Sequence, residues 1–362
     1  MNMTDFTRQG VRALLTRWQQ QRQIFTPRFA MGATNSLGDV AGIKVGHSTL
    51  DEGEIQTGVT AIVPPGDALY THPLPCGAAV LNGFAKPVGL VQVMELGELQ
   101  TPILLGNTFA VGTLFNAMVR KSCMDFPQIG RGSATINPLV LECNDAFLND
   151  IHAMAISEFH AHDALTAAAP QFARGSVGAG RGMSCFGLKG GVGTASRVDE
   201  KRGITLGVLV LANFGVLSEL TLDGVRIGGE IESLLPELAP QVDAGSIIII
   251  MACDAYLDSR QLTRIARRAG AGLGRLGSYW GHGSGDIAVA FSTQREGTRL
   301  PDDELESLLA MAADATEHAV LDAMLAAETV VGFQQHYRLG LSSVLDELSA
   351  RQPFDTSLEN SK

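Results

Sequence analysis

Charge is scarce in this 362-residue chain. Only 18% of its residues are Asp, Glu, Lys or Arg, while 45% are apolar. A disordered chain needs the opposite balance and is excluded. The composition implies a large core with fully buried segments. Positive charge is scarcer still: 27 Lys and Arg against 38 Asp and Glu give a net charge of −11, and no basic run concentrates it. Such a surface repels nucleic acid and anionic membranes, so neither is an expected partner. Cysteines number five (Cys76, Cys123, Cys143, Cys185, Cys253), and none forms a CxxC pair. That excludes a zinc knuckle or thioredoxin motif, and the odd count in a long chain reads as reduced and cytoplasmic. The longest strongly apolar stretch, 204–217, is broken by Gly207, Asn213 and Gly215. It is too short to span a bilayer. The first residues lack the apolar core of a signal peptide. Their arginines, Arg8, Arg12, Arg17 and Arg22, fit a solvated amphipathic helix.

Several familiar catalytic patterns are missing too. No GxSxG occurs, so there is no nucleophile elbow. In the glycine-dense stretch 175–193, Gly182 and Gly187 have Walker spacing, but Leu188 follows where lysine is required. Gly283, Gly285 and Ala288 match GxGxxA, yet an alternating strand follows where a dinucleotide site needs a helix. His160, His162 and Asp163 resemble a metal cluster. On a helix the two histidines point to different faces, so the stretch reads as a solvated surface.

The chain alternates between short β-like segments and helices. Residues 1–30 read as a polar helix ending near Pro27. β-like segments follow at 35–50, 58–64 and 88–95, then a helix over 108–120 with Val111, Leu114, Phe115 and Met118 on one face. Residues 139–143 read as a strand and 147–170 as an alanine-rich helix stopped by Pro170. Beyond the glycine-dense loop come a buried strand (203–215), an exposed connection (216–245), an apolar strand (246–254), a basic helix (259–275) and a strand (286–293). A long acidic helix (302–329) and a short one (341–350) end the chain. The pattern predicts layered α/β with stacked sheets, without the regular βαβ alternation of a doubly wound fold.

Of five Gly-Ser pairs, Gly245-Ser246 has a distinctive context. It joins an irregular, proline-bearing connection directly to an apolar strand. A serine opening a central strand behind a flexible glycine fits a self-cleaving N-terminal nucleophile. An N→O acyl shift and hydrolysis free its α-amine, which then serves as base for its own hydroxyl. An ordinary turn-to-strand junction has the same residues.

A resemblance bears on that choice. NSLGDVAGIKVGHSTL (35–50), NGF (82–84), TPILLGNT (101–108), GSVGAGRGMSCFGLKGGVGTASR (175–197), VLVLANFG (208–215), AGSIIII (244–250) and GSGDIAVAFST (283–293) together resemble the P1 family of peptidases. These are the DmpA-like L-aminopeptidase/D-esterases and β-peptidyl aminopeptidases. The match covers roughly 35–340. It implies a four-layer αββα sandwich, like the Ntn hydrolases but connected differently. Residues 1–34 are then an extension, and 35–362 one catalytic domain self-cleaved into 1–245 and 246–362.

The resemblance also assigns roles. Gly245 and Ser246 flank the scissile bond, and Ser246 is the nucleophile. Ser284 and Asp286 hydrogen-bond and tune its amine; two strand positions apart, they share a face. Asn213 donates to the developing oxyanion, and Glu142 binds the substrate's free amino group. No metal or organic cofactor is implied, and the expected assembly is a tetramer of cleaved heterodimers. The implied activity is release of N-terminal residues from small peptides, amides or esters with a free amine. Alternatives are an amidase on non-peptide or cyclic amides, as in nylon-oligomer hydrolases that use threonine, or a processed but inactive binding protein. One departure stands out: Phe147 occupies AFLND where the aminopeptidase branch has tyrosine in GYLND.

Overall fold

Two sheets stack face to face, and the side of each strand that is apolar sets where it lies. The computed structural model describes residues 3–66, 68–235 and 245–351. The smaller sheet runs in the order β1 (Lys44–Glu52), β2 (Ile55–Val63), β5 (Ile103–Asn107), β6 (Leu139–Cys143), antiparallel except between β5 and β6. The larger runs β4 (Glu98–Leu99), β3 (Leu74–Gly83), β10 (Gly285–Ser292), β9 (Ser246–Cys253), β8 (Ile204–Asn213), β7 (Gly191–Asp199). Only β9 and β10 run parallel in it.

Every residue of β9 is buried, as expected of a strand covered on both faces. Ile248, Ile250 and Ala252 turn into the layer between the sheets, among Ile62, Ile103, Leu105 and Leu141. Ile247, Ile249 and Met251 pack the other way, toward α6 (Ser259–Ala266), α7 (Ala269–Arg275), α8 (Glu306–Ala326) and α9 (Leu341–Arg351). The smaller sheet's outer face is covered by α3 (Val111–Asp125) and α4 (Glu158–Thr166). The result is the expected helix–sheet–sheet–helix sandwich.

Several expectations are corrected. The first helix, α1 (Met3–Gln21), is not merely solvated: Val11, Leu14, Leu15 and Trp18 are buried in the helix-side core, and Trp18 Nε1 donates to Asp346 on α9 at 2.8 Å. Their i, i+3, i+4, i+7 spacing is a helical apolar stripe. Residues 88–95 are not β-like but contain α2 (Leu90–Leu96), bounded by Gly89 and Gly97 in left-handed conformation. Helix 147–170 shrinks to Glu158–Thr166, preceded by a 3₁₀ turn at Ile151–Ala153. The basic helix is broken into α6 and α7. The connection 216–235 is not bare, since it holds α5 (Gly228–Leu234); residues 236–244 lie outside the described residues. Strands β3, β5 and β7 were not anticipated. Among the described residues, no helix is long and apolar enough to cross a membrane.

An ion pair ties the larger sheet to its helices. Arg197 on β7 donates through Nε to Asp314 on α8, and neither side chain is exposed. Breaking such a pair from one side leaves a buried charge. Asp314→Ala is therefore expected to lose about 3–5 kcal/mol of stability in urea unfolding, whereas replacing both residues by apolar ones loses far less.

Candidate active site

The sandwich places one end of β9 against the ends of three other strands. Ser246 is the first residue of β9 and is buried. Across the antiparallel register it faces Asn213, the last residue of β8, and across the parallel register Gly285, the first of β10. Alternation sets Ser246 on the face of Ile248, toward the second sheet. There β6 closes in: Cys143 Sγ lies 3.6 Å from the Leu211 carbonyl, and the Asn144 carbonyl accepts from Asn213 Nδ2 at 2.9 Å.

The Gly285 N–H lies against both halves of the candidate scissile unit. It is 3.2 Å from the Gly245 carbonyl oxygen and 3.3 Å from Ser246 Oγ. Sequence reasoning missed this donor because a backbone N–H carries no residue-type signal. Its glycine is required by space, since a Cβ there would meet the Phe84 carbonyl oxygen at 2.5 Å. Gly245 is required for a similar reason: a Cβ would lie 2.1 Å from the Asn213 carbonyl oxygen. Close approach, rather than the backbone strain expected from sequence, accounts for the glycine at that position.

Ser284 Oγ donates to Asp286 Oδ1 at 2.6 Å, and both residues are buried. Asp286 lies opposite Ile247 in the register, one residue beyond Ser246. In this continuous chain the two side chains engage each other, and the hydrogen bond from β10 to the Ser246 side chain comes through Gly285.

Asn213 is fixed at both ends of its amide. Oδ1 accepts from the Ser184 N–H at 2.8 Å, and Nδ2 donates to Asn144. These partners determine which end is nitrogen, and they leave Nδ2 a second N–H.

Glu142 is buried one residue before the end of β6. Its Oε1 accepts from the Lys86 N–H at 3.0 Å and its Oε2 from the Thr108 hydroxyl. The segment supplying Lys86 also touches the serine pair, because the Phe84 N–H donates to the Ser284 carbonyl at 3.2 Å. Residues 84–86 thus connect Glu142 to Ser284. Next to the site, burial pushes the Asp145 carboxyl up to about 6 and the Cys143 thiol well above its ordinary range. Cys143 stays protonated and is no competing nucleophile.

Phe147 stacks on His336, with ring centroids 4.5 Å apart, and lies under the Arg338 guanidinium at 3.5 Å. His160 is occupied in capping α4, its Nδ1 accepting from the Ser157 N–H at 2.9 Å. Among the described residues, no three His, Cys, Asp or Glu side chains gather as a metal-binding set.

The chain is similar to known proteins in both sequence and fold. Peptidase family S58 matches residues 35–338. Beta-peptidyl aminopeptidase BapA of Sphingosinicella microcystinivorans is 38% identical over 336 residues, spanning 83% of this chain and 84% of that protein. The PH0078 protein of Pyrococcus horikoshii OT3 superposes with a TM-score of 0.84 at 41% identity, covering 91% of this chain and 97% of that one. The L-aminopeptidase D-Ala-esterase/amidase of Ochrobactrum anthropi, a serine-aminopeptidase prototype and a variant of the Ntn-hydrolase fold, superposes at 0.79 with 32% identity, covering 90% and 96%. By sequence match and by layered architecture alike, the chain belongs to peptidase family S58.

Proposed function

We propose that this chain is a self-processing serine aminopeptidase. It cuts itself between Gly245 and Ser246, then releases N-terminal residues from small peptides, amides or esters that carry a free amino group. Membership of a peptidase family makes it a hydrolase, and its relatives are named as aminopeptidases. The observation that carries the residue assignment is the Gly285 N–H, shared by the Gly245 carbonyl oxygen and Ser246 Oγ.

In the first step Ser246 Oγ attacks the Gly245 carbonyl carbon. Negative charge develops on the carbonyl oxygen, where the Gly285 N–H already donates, and a preorganised donor of this kind is worth about 2.7–4 kcal/mol. The C–N bond breaks, the amine takes a proton, and water hydrolyses the resulting ester. Ser246 is left with an α-amine whose ordinary pKa is about 7.7–8.0, suited to act as base at neutral pH. In turnover the same hydroxyl attacks the substrate, forms an acyl-enzyme and is regenerated by water. The second N–H of Asn213 Nδ2 stabilises the oxyanion, and Ser284 with Asp286 tunes the amine. This chemistry calls for no cofactor. Cytoplasmic location and a tetramer of cleaved heterodimers belong to the same reading. Its five cysteines are free, and Phe84, Val91, Met94 and Leu96 expose apolar surface of the kind an assembly covers.

Glu142 separates an aminopeptidase from a general amidase. A buried carboxylate that holds a substrate ammonium gains about 1.5–3 kcal/mol net from a charge-assisted hydrogen bond. Glu142→Gln keeps the size and removes the charge. It is expected to lower kcat/KM for free-amine esters by roughly ten- to a hundred-fold, with no matching loss on N-acetylated esters and with self-cleavage intact. Equal losses on both esters would assign Glu142 to the fold or the catalytic machinery instead.

A further inference from the structure

A buried cation has no counter-charge among the described residues. Arg338 is 6% exposed, and its Nη1 donates to the Tyr337 carbonyl at 3.1 Å. Among the described residues, Nε and Nη2 are buried without a hydrogen-bond partner, and no carboxylate is paired with the guanidinium. Burying an unpaired charge is costly, so buried guanidinium groups are normally matched. Desolvation lowers this one to about 10, which leaves it charged at neutral pH.

Which edge is unpartnered matters. Nε and Nη2 form one side of the guanidinium fork and present two parallel N–H groups, the arrangement that a carboxylate accepts bidentately. One face of the fork is already held against the Phe147 ring. An adjacent tyrosine hydroxyl could have accepted from a guanidinium, whereas phenylalanine offers none.

The position follows from two chain paths. Phe147 is three residues past Asn144, whose carbonyl holds Asn213. On the other side, the Leu339 carbonyl accepts from the Lys189 N–H at 2.8 Å, and Lys189 pairs with Ser184, whose N–H holds the other end of the Asn213 amide. Ser184 Oγ is itself buried with no partner. Both neighbours of Arg338 therefore lead to the residue beside Ser246, and one further unpartnered polar group, Ser184 Oγ, lies along the way.

We propose that Arg338 is the carboxylate-binding residue of the substrate site, its Nε–Nη2 edge receiving the free C-terminal carboxylate of a short peptide. The inference rests on the aminopeptidase reading above and extends it: with Glu142 holding the amine, the enzyme favours short peptides with both ends free over C-terminally blocked ones.

The test compares an alanyl dipeptide acid with its carboxamide. In the wild type kcat/KM is expected to favour the acid by roughly ten- to a hundred-fold, the range of a charge-assisted bidentate contact. Arg338→Gln is expected to bring the acid-to-amide ratio near one. Arg338→Lys, which keeps the charge without the fork, should retain part of the preference and covers the case in which the glutamine variant fails to fold. A wild-type ratio near one, or a ratio unmoved by either substitution, would overturn the proposal. So would an acid preference that survives Arg338→Gln while light scattering reports a smaller assembly, since the carboxylate would then belong to another copy of the chain. Calorimetry with a ketomethylene dipeptide isostere, as acid and as amide, separates the two readings. Arg338-dependent preference for the acid isostere without turnover of any free-amine substrate would sink the peptidase reading and leave this inference standing. Turnover without that preference would do the reverse.

Discussion

Ser246→Ala is expected to leave a single 38.3-kDa chain with no detectable hydrolase activity, where the wild type separates into fragments of roughly 26 and 12 kDa by chain length. The residue is the proposed nucleophile of both reactions, so one substitution removes both. Its side chain sits at the start of a central strand, within reach of the N–H that also holds the carbonyl to be attacked. Intact-mass measurement of the two purified proteins, with an activity assay on a free-amine ester, checks both halves. An alanine protein that still divides after Gly245 would falsify the assignment.

The second large effect is expected at Asp286. Asp286→Asn should fold normally and lose roughly 10²–10⁴-fold in activity, the range for lost acid–base support. The shape of the pH profile identifies the cause. A carboxylate near an ammonium favours the charged form and raises the amine's pKa. Removing it lowers that pKa, so the neutral amine needed as base persists to lower pH. The acidic limb of the variant's activity curve is therefore expected at lower pH than in the wild type. Because Ser284 Oγ donates to Asp286 Oδ1, Ser284→Ala should move the limb less. An unchanged limb together with wild-type turnover would reduce the pair to a strand-entry turn.

Where hydrophobic pattern and burial coincide, the fold was legible. β9 and β8 are largely apolar because sheet or helix covers both faces, and the sequence shows it directly. β7 was hidden because GVGTASRVD has few apolar side chains; Gly193 is there for close helix contact, since a Cβ would lie 2.1 Å from the Ala319 carbonyl oxygen, and Gly191 for the close Gly175 backbone. α2 was misread because its valines and leucines suit a strand, and the two flanking left-handed glycines decide the matter. At the site, side chains with a recognisable type could be named in advance. The Gly285 N–H and the Asn144 carbonyl could not, because every residue has such groups and only strand register and sheet packing bring them to Ser246 and Asn213. Arg338 was missed for another reason: nothing in a lone arginine near the end of a chain marks it as buried.

The order of strands in the larger sheet also governs what a cut chain can do. β9 and β10 follow residue 245, yet they lie inside the sheet, with β3 on one side and β8 on the other. Cleavage at Gly245 leaves two polypeptides threaded through each other's hydrogen-bond ladders, held without any covalent link. The intact precursor assembles that sheet as a unimolecular process. Once divided and fully unfolded, the same strands must find each other by collision, with β3 and β8 lacking the partner that separates them. A protein cut as proposed would thus be the product of a folding route it could no longer retrace alone. Its persistence would be a matter of slow unfolding as much as of equilibrium stability.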